Sequence, residues 1–389
     1  MQDLKKIALL IETSTSYGRE LIRGIARYAN LNTSWIFFNE PRGITDKLPQ
    51  IRKWKPDGII MRDTPENMKL LKLKIPIIVS IRYEKRVENF PNIISDSDGI
   101  GKMACEYFRN KGFTRFAFCG FDNMPWSHER QQAFRQSLVP KEHFYIYENK
   151  KSNLDYEQEL KWLAKWLESL PKPIALLACN DVKGAKIIEA CKLAQIKIPQ
   201  DIAILGVNND DMICEITSPS LSSIALDIAK AGYEAGKTLD RIIKKRIIDV
   251  DEIIVKPKGI ITRMSTDFFA INDVIVAHSL HYISENDKRI IQVSDVAKYV
   301  GTNRRNLERR FRQILGRSVH QEIKRTKIEA ISKVLIETDI PISEIAFNMG
   351  FNDDHHISRY FKSIKNISPL KFREQYRLNM LKSKDTNRP

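Results

Sequence analysis

From residue 4 to residue 264, short apolar runs alternate with stretches whose apolar positions recur at helical spacing. Lys6–Ile11, Ile36–Phe38, Gly58–Met61 and Pro76–Ile81 read as strands, with helices at Arg19–Ala29 and Gly99–Asn110 between or after them. Further strand-like runs follow at Phe116–Gly120, Phe144–Tyr147, Ile174–Cys179 and Ile202–Val207. Such alternation predicts parallel sheets with helices on both faces. There are enough repeats for two sheets, expected to join near Lys111–Phe113. The expected lobes are about 1–110 with 226–247, and about 111–225 with 248–267. A crevice between two such lobes, at the carboxyl ends of their strands, is where folds of this kind bind ligands.

After residue 268 the strand-like runs stop and a helical pattern repeats. Val293-Ser-Asp-Val-Ala-Lys-Tyr-Val-Gly-Thr-Asn-Arg-Arg-Asn-Leu-Glu-Arg-Arg-Phe311 finds a counterpart about fifty residues later. That second stretch is Ile342-Ser-Glu-Ile-Ala-Phe-Asn-Met-Gly-Phe-Asn-Asp-Asp-His-His-Ile-Ser-Arg-Tyr-Phe361. In each, an apolar pair (Val296 and Ala297; Ile345 and Ala346) precedes a glycine (Gly301; Gly350) and a polar stretch that opens a second helix. Glycine suits the tight turn, which needs a left-handed backbone conformation. These are helix-turn-helix signatures, and their second helices are built to enter a major groove. Val319–Glu337 is the expected linking helix, with Ile323, Ile328, Ile331, Val334 and Leu335 forming its apolar stripe.

Two such units followed by Ile367-Ser-Pro-Leu-Lys-Phe-Arg373 resemble the AraC-type DNA-binding domain, over roughly residues 272–378. The chain departs from that family at Asn366, where glycine is usual, and at Ile357, where an aromatic is common. Asparagine tolerates the left-handed conformation nearly as well, and the other change is a core swap. The domain is therefore expected to span 268–389 and to be all-α, with only the tail after Arg377 disordered.

Composition narrows the picture. The 389 residues are enough for two or three domains. The net charge is +16, and residues 268–389 hold 22 Lys/Arg against 14 Asp/Glu, which is +8, or half of it in under a third of the length. A basic surplus beside a repeated helix-turn-helix favours phosphate binding, which releases condensed counterions. The five cysteines show no CxxC or metal spacing and read as small buried hydrophobes in a reducing cytoplasm. The start runs from two lysines directly into a strand, with neither a long apolar region nor a cleavage site, and no stretch approaches a membrane span.

Within the first 267 residues a series of segments appears in a telling order. It runs Ser95-Asp-Ser-Asp-Gly-Ile-Gly, Arg115-Phe-Ala-Phe-Cys-Gly, Glu129-Arg-Gln-Gln-Ala-Phe134 and Ala178-Cys-Asn-Asp181. Ile204-Leu-Gly-Val-Asn-Asn-Asp210 and Pro219-Ser-Leu-Ser-Ser-Ile224 complete it. In this order they resemble the sugar-binding core of LacI-type repressors and periplasmic sugar-binding proteins. The resemblance implies an α/β two-lobed domain like the type I periplasmic binding proteins. Joined to an AraC-type domain, it resembles the xylose-operon regulators, whose kind are activators.

What this implies for the crevice is the chemistry of a neutral sugar: paired donors and acceptors for hydroxyls, and an aromatic face for the C–H side of a ring. Matching positions suggest Arg130, then Asn180 or Asp181, unranked, since an Asn/Asp here also caps the next helix. Asn208 stands where aspartate is usual in the family. From the first lobe, Tyr17, Arg19, Asp63, Arg82, Tyr83 and Asp96 lie after strands or at helix starts, and Asp96 is as readily a cap as a contact. Trp126 is either the stacking platform or buried under a loop.

For DNA, the candidate base readers of the first unit are Asn303, Arg304, Arg305 and Glu308, with Arg309 further along the helix. In the second they are Asn352, Asp353, Asp354 and His355, with Asp353 as readily a helix cap as a reader, while Arg359 and Lys362 are expected at phosphates. His355 and His356 point to different helix faces and offer no metal site. No Gly-x-Gly-x-x-Gly, Walker-type run or nucleophile elbow appears, so an enzyme is not expected, and no cofactor is implied. The implied partners are a double-stranded DNA operator, a sugar effector (D-xylose, or alternatively a hexose, nucleoside or amino acid), a second copy of the chain and RNA polymerase.

Overall fold

The computed structural model describes residues 4–39, 48–140, 142–148, 155–245, 252–271 and 273–374. The chain divides into two compact units, Met1–Phe268 and Phe269–Pro389. The first begins with β1 (Lys5–Leu10), α1 (Ser16–Asn32), β2 (Trp35–Asn39), α2 (Leu48–Trp54), β3 (Gly58–Arg62), α3 (Pro65–Met68), β4 (Ile77–Ser80) and β5 (Asn92–Ser95). It continues with α4 (Ser97–Asn110), β6 (Arg115–Cys119), α5 (Pro125–Gln136), β7 (His143–Ile146), α6 (Tyr156–Ser169), β8 (Ile174–Ala178), α7 (Asp181–Leu193) and β9 (Ile202–Asn208). It ends with α8 (Asp211–Ile216), β10 (Ser222–Leu226), α9 (Ile228–Lys245), β11 (Ile253–Val255) and β12 (Pro257–Ile261).

These strands form two sheets, ordered β11-β5-β4-β3-β1-β2 and β12-β10-β9-β8-β6-β7. Every pairing is parallel except β10 with β12. Strands covered on both faces read as continuous apolar runs rather than alternating ones, and β3, β4 and β8 are buried at every position. One core gathers Ala8, Ile59, Met61 and Val79 on the first sheet; another gathers Ala117, Leu176 and Ile204 on the second.

The lobe boundaries differ from the sequence expectation in two places. Helix α4 packs on α5 and β12 of the second lobe, not on the first sheet. Gly101 explains why: a Cβ there would lie 2.6 Å from the backbone of Ala133, so only glycine lets the two helices meet so closely. The chain therefore crosses at Ser95–Asp96 rather than near Lys111–Phe113. The expected return point at 247/248 falls outside the described residues, but β11 pairs with β5, so residues 252–255 belong to the first lobe. Crossings at Ser95–Asp96, Asp227 and Lys256 lie side by side, tied by Asp96 N–H to Val255 O (3.0 Å) and Asp227 N–H to Lys256 O (2.9 Å).

The second unit is helical: α10 (Val274–Glu285), α11 (Val293–Tyr299), α12 (Arg304–Leu315), α13 (Val319–Glu337), α14 (Ile342–Asn348) and α15 (Asp354–Lys365). Helix α13 has the bounds expected of the linking helix and divides its apolar face between two cores. Val319 and Ile323 join Val296, Ala297, Leu307 and Phe311; Ile328, Ile331 and Leu335 join Ile345, Ala346, Ile357 and Phe361. Gly301 and Gly350, at φ +65° and +74°, make the turns between α11 and α12 and between α14 and α15. Asn366 closes α15 at φ +60°, just as Gly316 closes α12 at +66°. All five cysteines are buried and unpaired. Among the described residues no helix is long and apolar enough to cross a membrane. The tail after Arg377 lies outside the described residues.

Candidate functional site

The two sheets of the first unit point the carboxyl ends of their strands at a common cleft of about 240 Å³. Glu12 follows β1, Arg62 ends β3, Arg82 follows β4 and Ser95 ends β5; Phe121, Asp181 and Asn208 arrive from β6, β8 and β9. Cleft residues thus come from many separate strands, each fixed at one end by the sheet.

The first-lobe wall is an ionic network. Glu12 accepts from Arg82 Nη1 at 2.6 Å and from Arg62 Nε at 3.3 Å. Burial works to raise the Glu12 carboxyl, but Arg62 and Arg82 outweigh it and hold the group below its ordinary value. Arg62 also donates to Ser80 Oγ (2.9 Å) and lies over the Tyr17 ring at 4.4 Å.

The second-lobe wall centres on Arg130, which is 3% exposed. Its Nη1 donates to Cys179 O (2.5 Å), its Nη2 reaches Ser95 Oγ across the lobes (3.3 Å), and its guanidinium lies 4.8 Å from the Trp126 ring centre. Burial lowers its tendency to hold the proton. Asn180 caps α7 through Lys183 N–H (2.9 Å), while Asp181 accepts from Ser223 Oγ (2.5 Å) and Asp210 N–H (2.7 Å). Burial pushes the Asp181 carboxyl up to about 7. Asn208 is held at φ +107° and Asn209 at +52°, a backbone that non-glycine residues seldom adopt and that clusters at functional sites. Asp210 joins the lobes by accepting from Ser16 N–H at 2.8 Å.

Three residues that line this cleft each carry a buried side-chain atom with no hydrogen-bond partner among the described residues: Arg130 Nε, Asn208 Oδ1 and Asp210 Oδ1, the last of them ion-paired with Arg19 Nη2 at 3.7 Å. Orphaned buried polar atoms are rare in native proteins and call for an explanation.

Of the expected ligand residues, Arg130, Asn208, Asp181, Asn180, Trp126, Tyr17 and Arg82 line this cleft. Asp96 does not; its Oδ1 accepts from Gly99 N–H at 2.8 Å and caps α4, because the chain crosses between lobes there. Asp63 is also structural, accepting from the amides of Arg82, Tyr83 and Glu84, each at 2.7 Å. Arg19 turns to the carbonyls of Thr13 and Ser14, and Tyr83 is exposed beside Arg82. Sequence reasoning missed Glu12, Arg62 and Asp210. Their signal was position alone, a charged residue ending or following a buried strand.

In the second unit, Arg304, Arg305 and Arg309 are exposed along α12, as are Asn352, Asp354, His355, Arg359 and Lys362 at the start and along α15. Asn303 is exposed but its Oδ1 is committed to the Asn306 amide (2.8 Å), and Asp353 caps α15 through His356 N–H (2.6 Å). Glu308 differs from its expected role: it is half-buried, and its carboxylate faces the Val319 amide (3.4 Å) at the start of α13.

A hinged two-lobed ligand cleft joined in one chain to a doubled helix-turn-helix defines a transcription regulator that couples small-molecule binding to DNA. Family models agree: a XylR N-terminal domain matches residues 6–96, a periplasmic binding protein-like domain 105–266 and a helix-turn-helix domain 296–375. The xylose operon regulatory protein of Haemophilus influenzae is 31% identical over 382 residues, 95% of this chain and 98% of that one. The Escherichia coli K12 protein of the same name is 28% identical over 95% of this chain and 97% of its own length. A solved xylose-binding transcription activator, XylR, superposes with a TM-score of 0.62 at 27% identity, over 96% of this chain and 98% of that one. The chain belongs to the family of xylose operon regulatory proteins.

Proposed function

We propose that this chain is a D-xylose-responsive activator of pentose-utilisation genes, which holds one sugar between its lobes and reads an operator with α12 and α15. The carrying observation is the mixed polar lining of one cleft, with donors and acceptors supplied by Arg82, Arg130, Asn180, Asp181 and Asn208. A hydroxyl both donates and accepts, so a polyhydroxylated neutral molecule answers such a mixed set, and Trp126 offers a ring to its C–H face. The volume of about 240 Å³ falls below the ~300–1,000 Å³ of drug-sized sites, which suits a monosaccharide. The relatives' names supply the particular sugar. The amide of Asn208, where the resembled repressors carry a carboxylate, favours as a second reading another small neutral effector on the same architecture.

In this reading the sugar touches both lobes and biases the protein toward their closed arrangement by its differential affinity for that arrangement. A homodimer in the cytoplasm, binding paired operator sites and contacting RNA polymerase, completes the proposal. The test is a thermal-shift panel of pentoses, hexoses and nucleosides. A ligand at a hundred times its dissociation constant adds ~2.7 kcal/mol, or roughly 5–10 °C for a unit of this size. Stabilisation by xylose that Arg130→Ala abolishes is the expected result. A shift with another molecule instead would move the effector, and no shift with any sugar would refute the sugar reading.

A further inference from the structure

Helix α13 carries a lysine that neither core requires. Lys327 lies between Ile323, which packs into the first helical core, and Ile328, which packs into the second. It is 5% exposed. Its ammonium donates to two backbone carbonyls from different halves of the unit. One is Arg289 O (3.1 Å), in the connection just before α11; the other is Met349 O (2.6 Å), in the turn just before α15. The same ammonium sits 5.4 Å from the centre of the Phe351 ring. Beside it, a Cβ on Gly350 would lie only 3.3 Å from Lys288 O, so the second turn rests directly on the connection leading into the first helix-turn-helix. Holding a cation here is costly: burial pulls Lys327 down to about 8, with Asp287 only partly opposing it. An apolar side chain would fill the space without that cost. What the ammonium adds is direction, since two charge-assisted hydrogen bonds fix one backbone segment against the other.

We propose that Lys327 is a positioning residue that sets α12 and α15 relative to one another, and so sets the spacing between the two DNA segments one chain reads. The inference rests on the reading that both helices enter DNA. Lys327 ties the segment that leads into α11 to the turn that leads into α15, so the first helix-turn-helix is held at its entry and the second at its turn, and major-groove segments on one face of a duplex recur every ~10–10.5 bp. A unit whose two readers are rigidly fixed accepts one such spacing, whereas a pair tied only by non-directional apolar contacts tolerates neighbouring ones.

The test is in vitro selection of duplex DNA by the full-length wild type, Lys327→Met and Lys327→Arg. Affinities are then measured for the selected site with one or two base pairs inserted between its segments. The wild type should select two segments at one spacing and lose about tenfold or more on insertion. Lys327→Met should keep the base preferences within each segment but lose most of that discrimination. Lys327→Arg should restore it, because the adjoining cavity of about 250 Å³ leaves room for a guanidinium. A Lys327→Met protein with wild-type spacing discrimination would overturn the proposal. So would loss of helical content with loss of both base preferences, which would make Lys327 a general requirement of the fold. Selection of a single segment by the wild type would refute the two-helix reading itself, and that failure is visible without any variant.

Discussion

Asp181→Asn tests whether the cleft is as desolvating as its geometry indicates. The wild-type carboxyl moves from 3.8 in water to about 7 in the folded chain, mainly through burial. That displacement corresponds to roughly 4 kcal/mol against the charged form. The folded state therefore holds more protons than the unfolded state between these two values, so stability falls as pH rises through that window and levels off above about 7. At about pH 5.5 the folded protein keeps the proton and the cost is ~2 kcal/mol; at about pH 8 neither state keeps it and the full ~4 kcal/mol stands. Asparagine removes the titration while preserving the contacts. Its oxygen accepts from Asp210 N–H, and its amide donates to Ser223 Oγ in place of the hydroxyl bond now made to Asp181. Thermal unfolding of both proteins at the two pH values isolates this group, since every other titration cancels in the comparison. The variant's advantage should grow by ~2 kcal/mol between about pH 5.5 and 8, or about 4–8 °C in midpoint. A gap that stays constant with pH would show that Asp181 ionises in its ordinary range and would refute the desolvated cleft.

Gly101→Ala places a methyl 2.6 Å from the Ala133–Phe134 backbone and should cost at least about 2–3 kcal/mol, because backbone cannot yield as a side chain can; an unchanged denaturation midpoint would contradict the α4–α5 packing. Lys362→Ala, on the exposed face of α15, should weaken DNA binding evenly across sequences and reduce the salt dependence by about one counterion. A change in base preference without a change in salt slope would instead make Lys362 a reader. These stand beside the expected loss of sugar stabilisation in Arg130→Ala and the relaxed operator spacing in Lys327→Met.

The sequence by itself determined the two classes of domain and the types of the most strongly patterned elements. Strands buried on both faces announce themselves as apolar runs, and a turn that needs a left-handed residue announces itself as Gly301 or Gly350, because these demands act within a few residues. It likewise brought out Arg130, Asp181 and Asn208, each in a segment whose order along the chain carries the resemblance. Tertiary structure alone decided which lobe α4 and β11 join, since that depends on a glycine meeting Ala133 and on a strand pairing formed across more than 150 residues. It also committed Asp63 to the amides of Arg82, Tyr83 and Glu84 while drawing Glu12, Arg62 and Asp210 into the cleft. A carboxylate after a strand looks the same in sequence whether it satisfies nearby backbone amides or faces open space. The difference is the presence of unpaired N–H groups within reach, and only the packed chain fixes where those groups lie.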